Sequence, residues 1–263
     1  MRLVPLPGKH LRYFAMENLP VGLGLAFGLT TALTVVLFSH AAHRSRRTGL
    51  VLLVLLLVQA VLGLSGFFRM TDTRPPRLAL LLGPPLLIVI LLFNTTTGRR
   101  FLDGLRLQTL TLLHVVRIPV ELVLFGLYLH HGVPKLMTFE GRNWDMLAGL
   151  TAPVAWYFAF RSRQLGRRGL LLWNLLGLAS LLNIVVNGVL SAPSPFQQFA
   201  FEQPNVAILH FPFGWLPGCV VPVVLLAHLV AFRQLLHIKR PLLCRRSART
   251  RASGKLGIWR KFA

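Results

Sequence analysis

Seven apolar segments, each close to the length that crosses a lipid bilayer, dominate this chain of 263 residues. A transmembrane helix needs about 20 mostly apolar residues, and only helices or closed barrels satisfy all their backbone hydrogen bonds in lipid. The segments lack the alternation of barrel strands. They cover residues 20–39, 49–68, 78–94, 107–130, 144–160, 169–190 and 207–233. The sequence therefore predicts an all-α, polytopic transmembrane bundle of seven helices.

Composition supports this class of protein. Hydrophobic residues make up 54% of the chain and charged residues only 14%, whereas soluble domains carry roughly 25% charged residues. The longest polar stretch is at the C-terminus, so no soluble domain of useful size is expected. We predict a seven-helix transmembrane domain over residues 1–235 and a basic cytoplasmic tail over residues 236–263.

The positive charge predicts the orientation of the bundle. Lysine and arginine number 29 against 7 acidic residues, for a net charge of +22. Eight of the basic residues lie in the N-terminal stretch and the loops on its side, and twenty lie in the alternate loops and the tail. The positive-inside rule then places the N-terminus outside and the C-terminus in the cytoplasm. Such charge predicts anionic lipid as a partner of the tail, rather than nucleic acid.

The fourth predicted span, "TLLHVVRIPVELVLF", carries groups that lipid disfavours. At 100° per residue, His114, Arg117 and Glu121 share one helix face, which should point into the bundle. Ionisable residues inside a membrane are candidates for a functional site. The alternative is an Arg117–Glu121 ion pair that only holds neighbouring helices together. Pro119 predicts a kink between the two charges.

The sixth predicted span adds a second polar stripe. Ser180, Asn183 and Asn187 lie on one helix face, and Asn183 should reach the depth of Glu121 in the antiparallel fourth span. We therefore predict an outward-facing polar pocket between spans four, six and seven, floored by Arg117 and Glu121. The alternative for the asparagines is hydrogen bonding between helices, which is common in membrane bundles.

Polar residues outside these stripes complete the predicted site. Glu140 and Arg142, in an outer loop, are expected to close the mouth of the pocket or to pair with each other in solvent. His210, near the outer end of the seventh span, could approach His114 if the two helices are adjacent. The histidine spacing does not indicate a metal site, and no cofactor is indicated.

Three phrases of this sequence resemble a family of uncharacterised bacterial multi-pass inner-membrane proteins. The phrases are "LHVVRIPVELVLF", "LMTFEGRNWDMLAGLTAP" and "LSAPSPFQQFAFEQPNVAILHFPFGWLPG", and the resemblance covers roughly residues 105–235. It implies a bacterial inner (cytoplasmic) membrane location. It implies no reaction and no ligand.

The sequence favours binding or transport of a small molecule, for which an anionic group would suit Arg117, since this side chain keeps its charge. A second hypothesis is a membrane-embedded enzyme in which His114 and Glu121 act as acid and base. A third is a structural or sensory membrane protein. The sequence leaves open whether the chain is an enzyme, and it does not indicate the oligomeric state.

Overall fold

The computed structural model describes residues 19–71, 73 and 76–237, and this part of the chain is all-helical, without a β-strand. The all-helical prediction is therefore confirmed there, while most of the predicted basic tail lies outside the described residues. The α-helices are α1 (Val21–Ala41), α2 (Arg46–Leu64), α3 (Leu78–Asn94), α4 (Thr96–Gly104), α5 (Leu107–Leu113), α6 (Arg117–Leu129), α7 (Asp145–Trp156), α8 (Arg167–Leu190) and α9 (Val221–His237).

Five helical stretches are long and apolar enough to cross a membrane, which is typical of a membrane protein. They are Val21–Ala41, Arg46–Leu64, Leu107–Leu129, Arg167–Leu190 and Leu216–Leu236. Buried residues make up 56% and 61% of the apolar part of the third and fifth stretches, against 28% or less in the others. The central pair therefore forms the core, and the outer helices turn apolar side chains such as Leu25, Leu29 and Leu57 outward, as lipid contact requires.

A sixth candidate span is broken. Helices α3 and α4 pass the length and composition test only together, and they meet at an angle of 94°. The Thr95 hydroxyl accepts a hydrogen bond from the Gly98 N–H, 3.1 Å away, and caps the start of α4. A Cβ atom at residue 98 would lie 2.4 Å from the Leu92 carbonyl oxygen, so a side chain there would collide with it. This sharp turn therefore depends on the glycine.

The predicted fifth span, residues 144–160, corresponds to a short helical stretch. Helix α7 continues into a π-helical turn, Tyr157–Arg161, and this rod is not among the candidate spans. It nevertheless packs against α5, α6 and α8. The described residues thus contain five candidate spans, or six with the bent pair. The predicted span at residues 144–160, which would bring the number to seven, stays a prediction.

Prolines distort both central spans. A 3-10 turn, His114–Val116, separates α5 from α6, so the distortion expected from Pro119 lies before Arg117 rather than between Arg117 and Glu121. A π-helical turn, Leu216–Val220, precedes α9.

In the second distortion, Pro222 has no N–H to donate to the Gly218 carbonyl four residues earlier. The Gln59 side chain of α2 donates to this carbonyl instead, at 2.8 Å. A Cβ atom at residue 218 would lie 2.3 Å from the Gln59 Oε1 atom. Glycine therefore lets a second helix satisfy a backbone group that proline left without a donor, as lipid requires.

The core lies between α1, α5, α6, α8 and α9. Helix α1 contacts α5 and α6, and α9 contacts α5 and α8. Two long connections, residues 130–144 and 191–215, cover the same end of these helices, which we call the loop end. The opposite end, with the short connections around residues 42–45 and 162–166, is called the basic end.

Candidate functional site

Arg117 is the centre of a buried polar cluster. Its side chain is 3% exposed and sits at the start of α6, directly after the 3-10 turn. The Nη1 and Nη2 atoms donate to the Gly177 carbonyl oxygen at 3.1 and 3.2 Å, and Nη2 donates to the Nε2 atom of His228 at 3.0 Å. Arg117 therefore ties α6 to both α8 and α9, and no part of it faces lipid.

The ionic partner of Arg117 is Asp145. The Nη1 atom lies 3.2 Å from the Asp145 Oδ1 atom, and the Ser180 hydroxyl donates to the same oxygen at 2.9 Å. The expected Arg117–Glu121 pair is therefore corrected to Arg117–Asp145. Asp145, the first residue of α7, supplies the counter-ion for a charge at the start of α6.

Two histidines stack beside the guanidinium group. The rings of His114 and His228 have centroids 4.0 Å apart, so the partner of His114 is His228 and not His210. The Asn174 amide nitrogen donates to the Leu170 carbonyl, and its oxygen lies 3.0 Å from the His228 Nδ1 atom. Because that oxygen can only accept, His228 carries its proton on Nδ1 and accepts from Arg117 at Nε2.

Glu121 lies one helical turn from Arg117, toward the loop end. Its side chain is 1% exposed. Its Oε2 atom accepts a hydrogen bond from the Asn143 amide, which also donates to the Met137 carbonyl at 3.0 Å. The Oε1 atom has no hydrogen-bond partner. Glu121 is thus a buried carboxyl group with one oxygen unused.

A cavity of about 70 Å³ lies beside Glu121 under the loop end. Its walls come from the spans that the sequence predicted, together with α3 and the two long connections. The lining residues are Leu78, Leu82, Val120, Glu121, Leu124, Met137, Asn143, Asp145, Leu181, Ile184, Val185, Gly188, Val189, Asn205, Ile208, Leu216, Pro217 and Val221. The walls are mostly apolar, and Arg117 is not among them.

Asn205 brings a second unused oxygen to this cavity. The residue is fully buried, and its amide nitrogen donates to the Gly188 carbonyl at 3.1 Å. Its Oδ1 atom has no hydrogen-bond partner. Buried polar atoms are nearly always paired with protein or ordered water, so the side chains of Glu121 and Asn205 could each hold a water molecule or a ligand in this cavity.

The predicted asparagine stripe does not line the cavity. Asn183 is exposed and donates to the Arg142 carbonyl at 2.7 Å, and Asn187 donates to the Asn183 side chain at 3.2 Å. The Asn183 bond joins α8 to the loop before α7, whereas the Asn187 bond stays within α8. The asparagines therefore form neither the predicted pocket wall nor the hydrogen bonds between helices of the alternative interpretation.

The other predicted site residues lie apart from the cavity. Glu140 pairs with Lys135 at 3.7 Å in solvent, not with Arg142, which is exposed. His210 lies before the last span, outside the helix, and accordingly does not approach His114. Burial lowers the pKa of His210, as does nearby Arg69, while its hydrogen bond to the Val206 carbonyl opposes this shift.

Sequence reasoning missed five residues that build the cluster and the cavity: Asn143, Asp145, Asn174, Asn205 and His228. A signal existed for His228, because a histidine inside an apolar span is itself a candidate. The remaining four depend on how the loops and helices meet. Among the described residues, no group of three or more histidine, cysteine, aspartate or glutamate side chains could hold a metal ion.

The described residues form a bundle of candidate membrane helices around a buried polar cluster. Residues 75–236 match the model of a family described as Domain of unknown function (DUF8737). This match covers more than half of the chain, so the protein belongs to this family. The matched region contains the whole cluster and every residue that lines the cavity. No curated protein and no solved structure matches the chain.

Proposed function

We propose that the protein binds a small molecule in the loop-end cavity, as a receptor or as the binding step of a transporter. The observation that carries this proposal is that Glu121 and Asn205, which line the same cavity, each hold a buried side-chain oxygen without a hydrogen-bond partner. In a purely structural core, bound water molecules would have to satisfy both atoms.

The position of Arg117 argues against the anionic ligand that the sequence favoured. Its guanidinium group is already engaged by Asp145, the Gly177 carbonyl and His228. It is also absent from the cavity wall. Arg117 therefore holds α7, α8 and α9 in position around the cavity through these contacts, and it does not contact the ligand.

The enzyme hypothesis has less support. His114 stacks on His228 and meets the Trp173 ring edge-on, with the His114 and Trp173 centroids 5.4 Å apart. Only Glu121 of the proposed acid–base pair lines the cavity. A substrate in this cavity would not meet both groups, so we favour binding over catalysis.

The binding proposal can be tested by filling the cavity. Val185 of α8 lines it, whereas the next residue, Val186, is 52% exposed on the outer face. We expect at least one of a panel of small amines, amides, alcohols and carboxylates to raise the thermal unfolding temperature of the purified parent protein, because a ligand that binds only the folded state stabilises it. The same compound should stabilise the Val186→Phe variant but not Val185→Phe.

An equal rise in both variants, or no response of the parent to any compound, would contradict binding in this cavity. The third hypothesis, a structural or sensory role, would then be favoured. Intrinsic stability of the two variants is compared without any compound, so that a folding defect is separated from loss of binding.

We further propose that the chain crosses a bacterial inner membrane seven times, with its N-terminus outside and a basic tail that meets anionic lipid in the cytoplasm. The charge asymmetry of the loops supports this orientation. The crossing that brings the number to seven would be α7 with its π-helical turn, the fifth predicted span along the chain. Its apolar outer face, which includes Leu147, Leu150 and Val154, supports exposure to lipid.

Thiol labelling in intact cells tests this topology. Cysteines introduced at the exposed positions Arg142 and Gln198 should react with a membrane-impermeant reagent, because both lie at the loop end. A cysteine at Gln164, at the basic end, should react only after permeabilisation. Cys219 is buried, and Cys244, outside the described residues, is changed to serine in all variants. Labelling of positions 142 and 164 from the same side would show that α7 does not cross.

A further inference from the structure

We propose that the ligand of the loop-end cavity is a small primary ammonium ion. This inference rests on the proposed binding function and specifies its ligand class. The first argument is hydrogen-bond polarity. The unused Asn205 Oδ1 atom is an acceptor, and so is the unused Glu121 Oε1 atom when the carboxyl group is ionised, so a ligand that bonds to both of these oxygens has to donate. A carboxylate offers no donor and would face two oxygen atoms.

The amide of Asn143 does not change this polarity. Its nitrogen donates to Glu121 and to the Met137 carbonyl, and its oxygen accepts from the Asp145 backbone N–H at 3.0 Å. Every hydrogen of this side chain that could point into the cavity is therefore already in use. The polar part of the cavity wall consists of acceptors.

The second argument is charge. The cluster buries one guanidinium group, that of Arg117, and two carboxyl groups, those of Asp145 and Glu121. Arg117 pairs with Asp145 at 3.2 Å. No lysine or arginine lines the cavity, so one positive charge bound there would complete the balance with an ionised Glu121. Buried charges are tolerated when they are paired and hydrogen-bonded.

The third argument is size and wall chemistry. The cavity volume of about 70 Å³ is several times the about 10–15 Å³ that a single water molecule needs on a comparable scale. Leu124, Leu181, Ile184 and Val221 supply apolar walls that suit an alkyl group. Within the part of the chain that the structure describes, no group of three or more histidine, cysteine, aspartate or glutamate side chains could hold a metal ion, whereas an amine with a short alkyl body suits both the polar and the apolar walls.

The test uses purified full-length protein in detergent and compares salts at equal ionic strength. Methylammonium chloride should raise the thermal unfolding temperature in a saturable manner. Tetramethylammonium chloride, which has no N–H group, should have no such effect, and neither should sodium chloride or sodium formate. A saturable response to formate, or an equal response to tetramethylammonium, would overturn the ammonium inference while leaving binding in the cavity intact.

Two matched variants locate the effect. Glu121→Gln removes the buried carboxylate. The methylammonium concentration that gives half of the maximal stabilisation should rise about tenfold or more, because a charge-assisted hydrogen bond is lost. Glu140→Gln changes a solvent-exposed carboxylate and should respond as the parent does. A response in Glu121→Gln equal to that of the parent would also overturn the inference. The comparison of salts on the parent stands even if Glu121→Gln does not fold.

Absence of any methylammonium response in the parent would refute the ammonium ligand alone if another compound of the panel binds in a manner that Val185→Phe abolishes. Absence of a response to every compound would refute the binding function with it. The two failures are therefore distinguishable.

Discussion

Replacing Arg117 with methionine is expected to destabilise the protein by about 3–5 kcal/mol, because it leaves the Asp145 carboxylate buried without its counter-ion. The Arg117 and Asp145 side chains are 3% and 12% exposed, so water cannot replace the lost partner. The Gly177 carbonyl and His228 would lose donors in addition. Unfolding in mixed detergent micelles, followed by tryptophan fluorescence, measures the change.

Two double variants identify the true partner of Arg117. Arg117→Met with Asp145→Asn removes both charges and should recover much of the lost stability, since replacing both members of a buried pair is often tolerated. Arg117→Met with Glu121→Leu leaves Asp145 unpaired and should recover little. Greater recovery in the second variant would show that Glu121, not Asp145, balances the guanidinium group.

Replacing Gly177 with leucine is expected to cost about 1–3 kcal/mol through overpacking. A Cβ atom at this position would lie 2.7 Å from the His228 Cε1 atom, and the imidazole would have to leave its place between Arg117 and Asn174. Helix α8 meets α9 closely here because glycine has no side chain. The same unfolding assay measures the loss.

Gly28→Leu is the matched control for this change. Gly28 also lies within a membrane span, but a Cβ atom there would meet nothing within 4 Å. Its replacement should leave stability nearly unchanged or raise it slightly, since leucine favours the helix more than glycine does. A similar loss in both variants would show that backbone effects, and not the contact with His228, dominate at Gly177.

The burial of the fourth predicted span could be read from the sequence. His114, Arg117 and Glu121 share a helix face, and all three are buried inside the bundle. Helical periodicity determines which face turns inward, but it does not determine what that face meets. Asp145 is 28 positions after Arg117 and follows a loop, so its approach depends on how the loop end folds. The sequence pattern has no signal for this distance.

The same limit explains the asparagines. Ser180 reaches Arg117 and Asp145, with Arg117 Nη1 at 3.4 Å, whereas Asn183 lies under the loop at Arg142. One polar stripe therefore makes two different sets of contacts along its length.

Hydropathy also cannot separate a span from an apolar loop. The sequence predicts residues 207–215 as the start of the last span, but they precede the helical stretch that begins at Leu216.

The hydrogen bond from Gln59 to the Gly218 carbonyl has a consequence for the limits of the family domain. The matched region starts at residue 75, so Gln59 lies outside it, yet this residue satisfies a backbone oxygen deep inside it. A chain that began at residue 75 would carry that carbonyl unmet into lipid. The region that matches the family model is thus smaller than the part of the chain that satisfies all its own backbone hydrogen bonds in a membrane. In evolution, a proline at position 222 and a donor on the second helix should be gained and lost together.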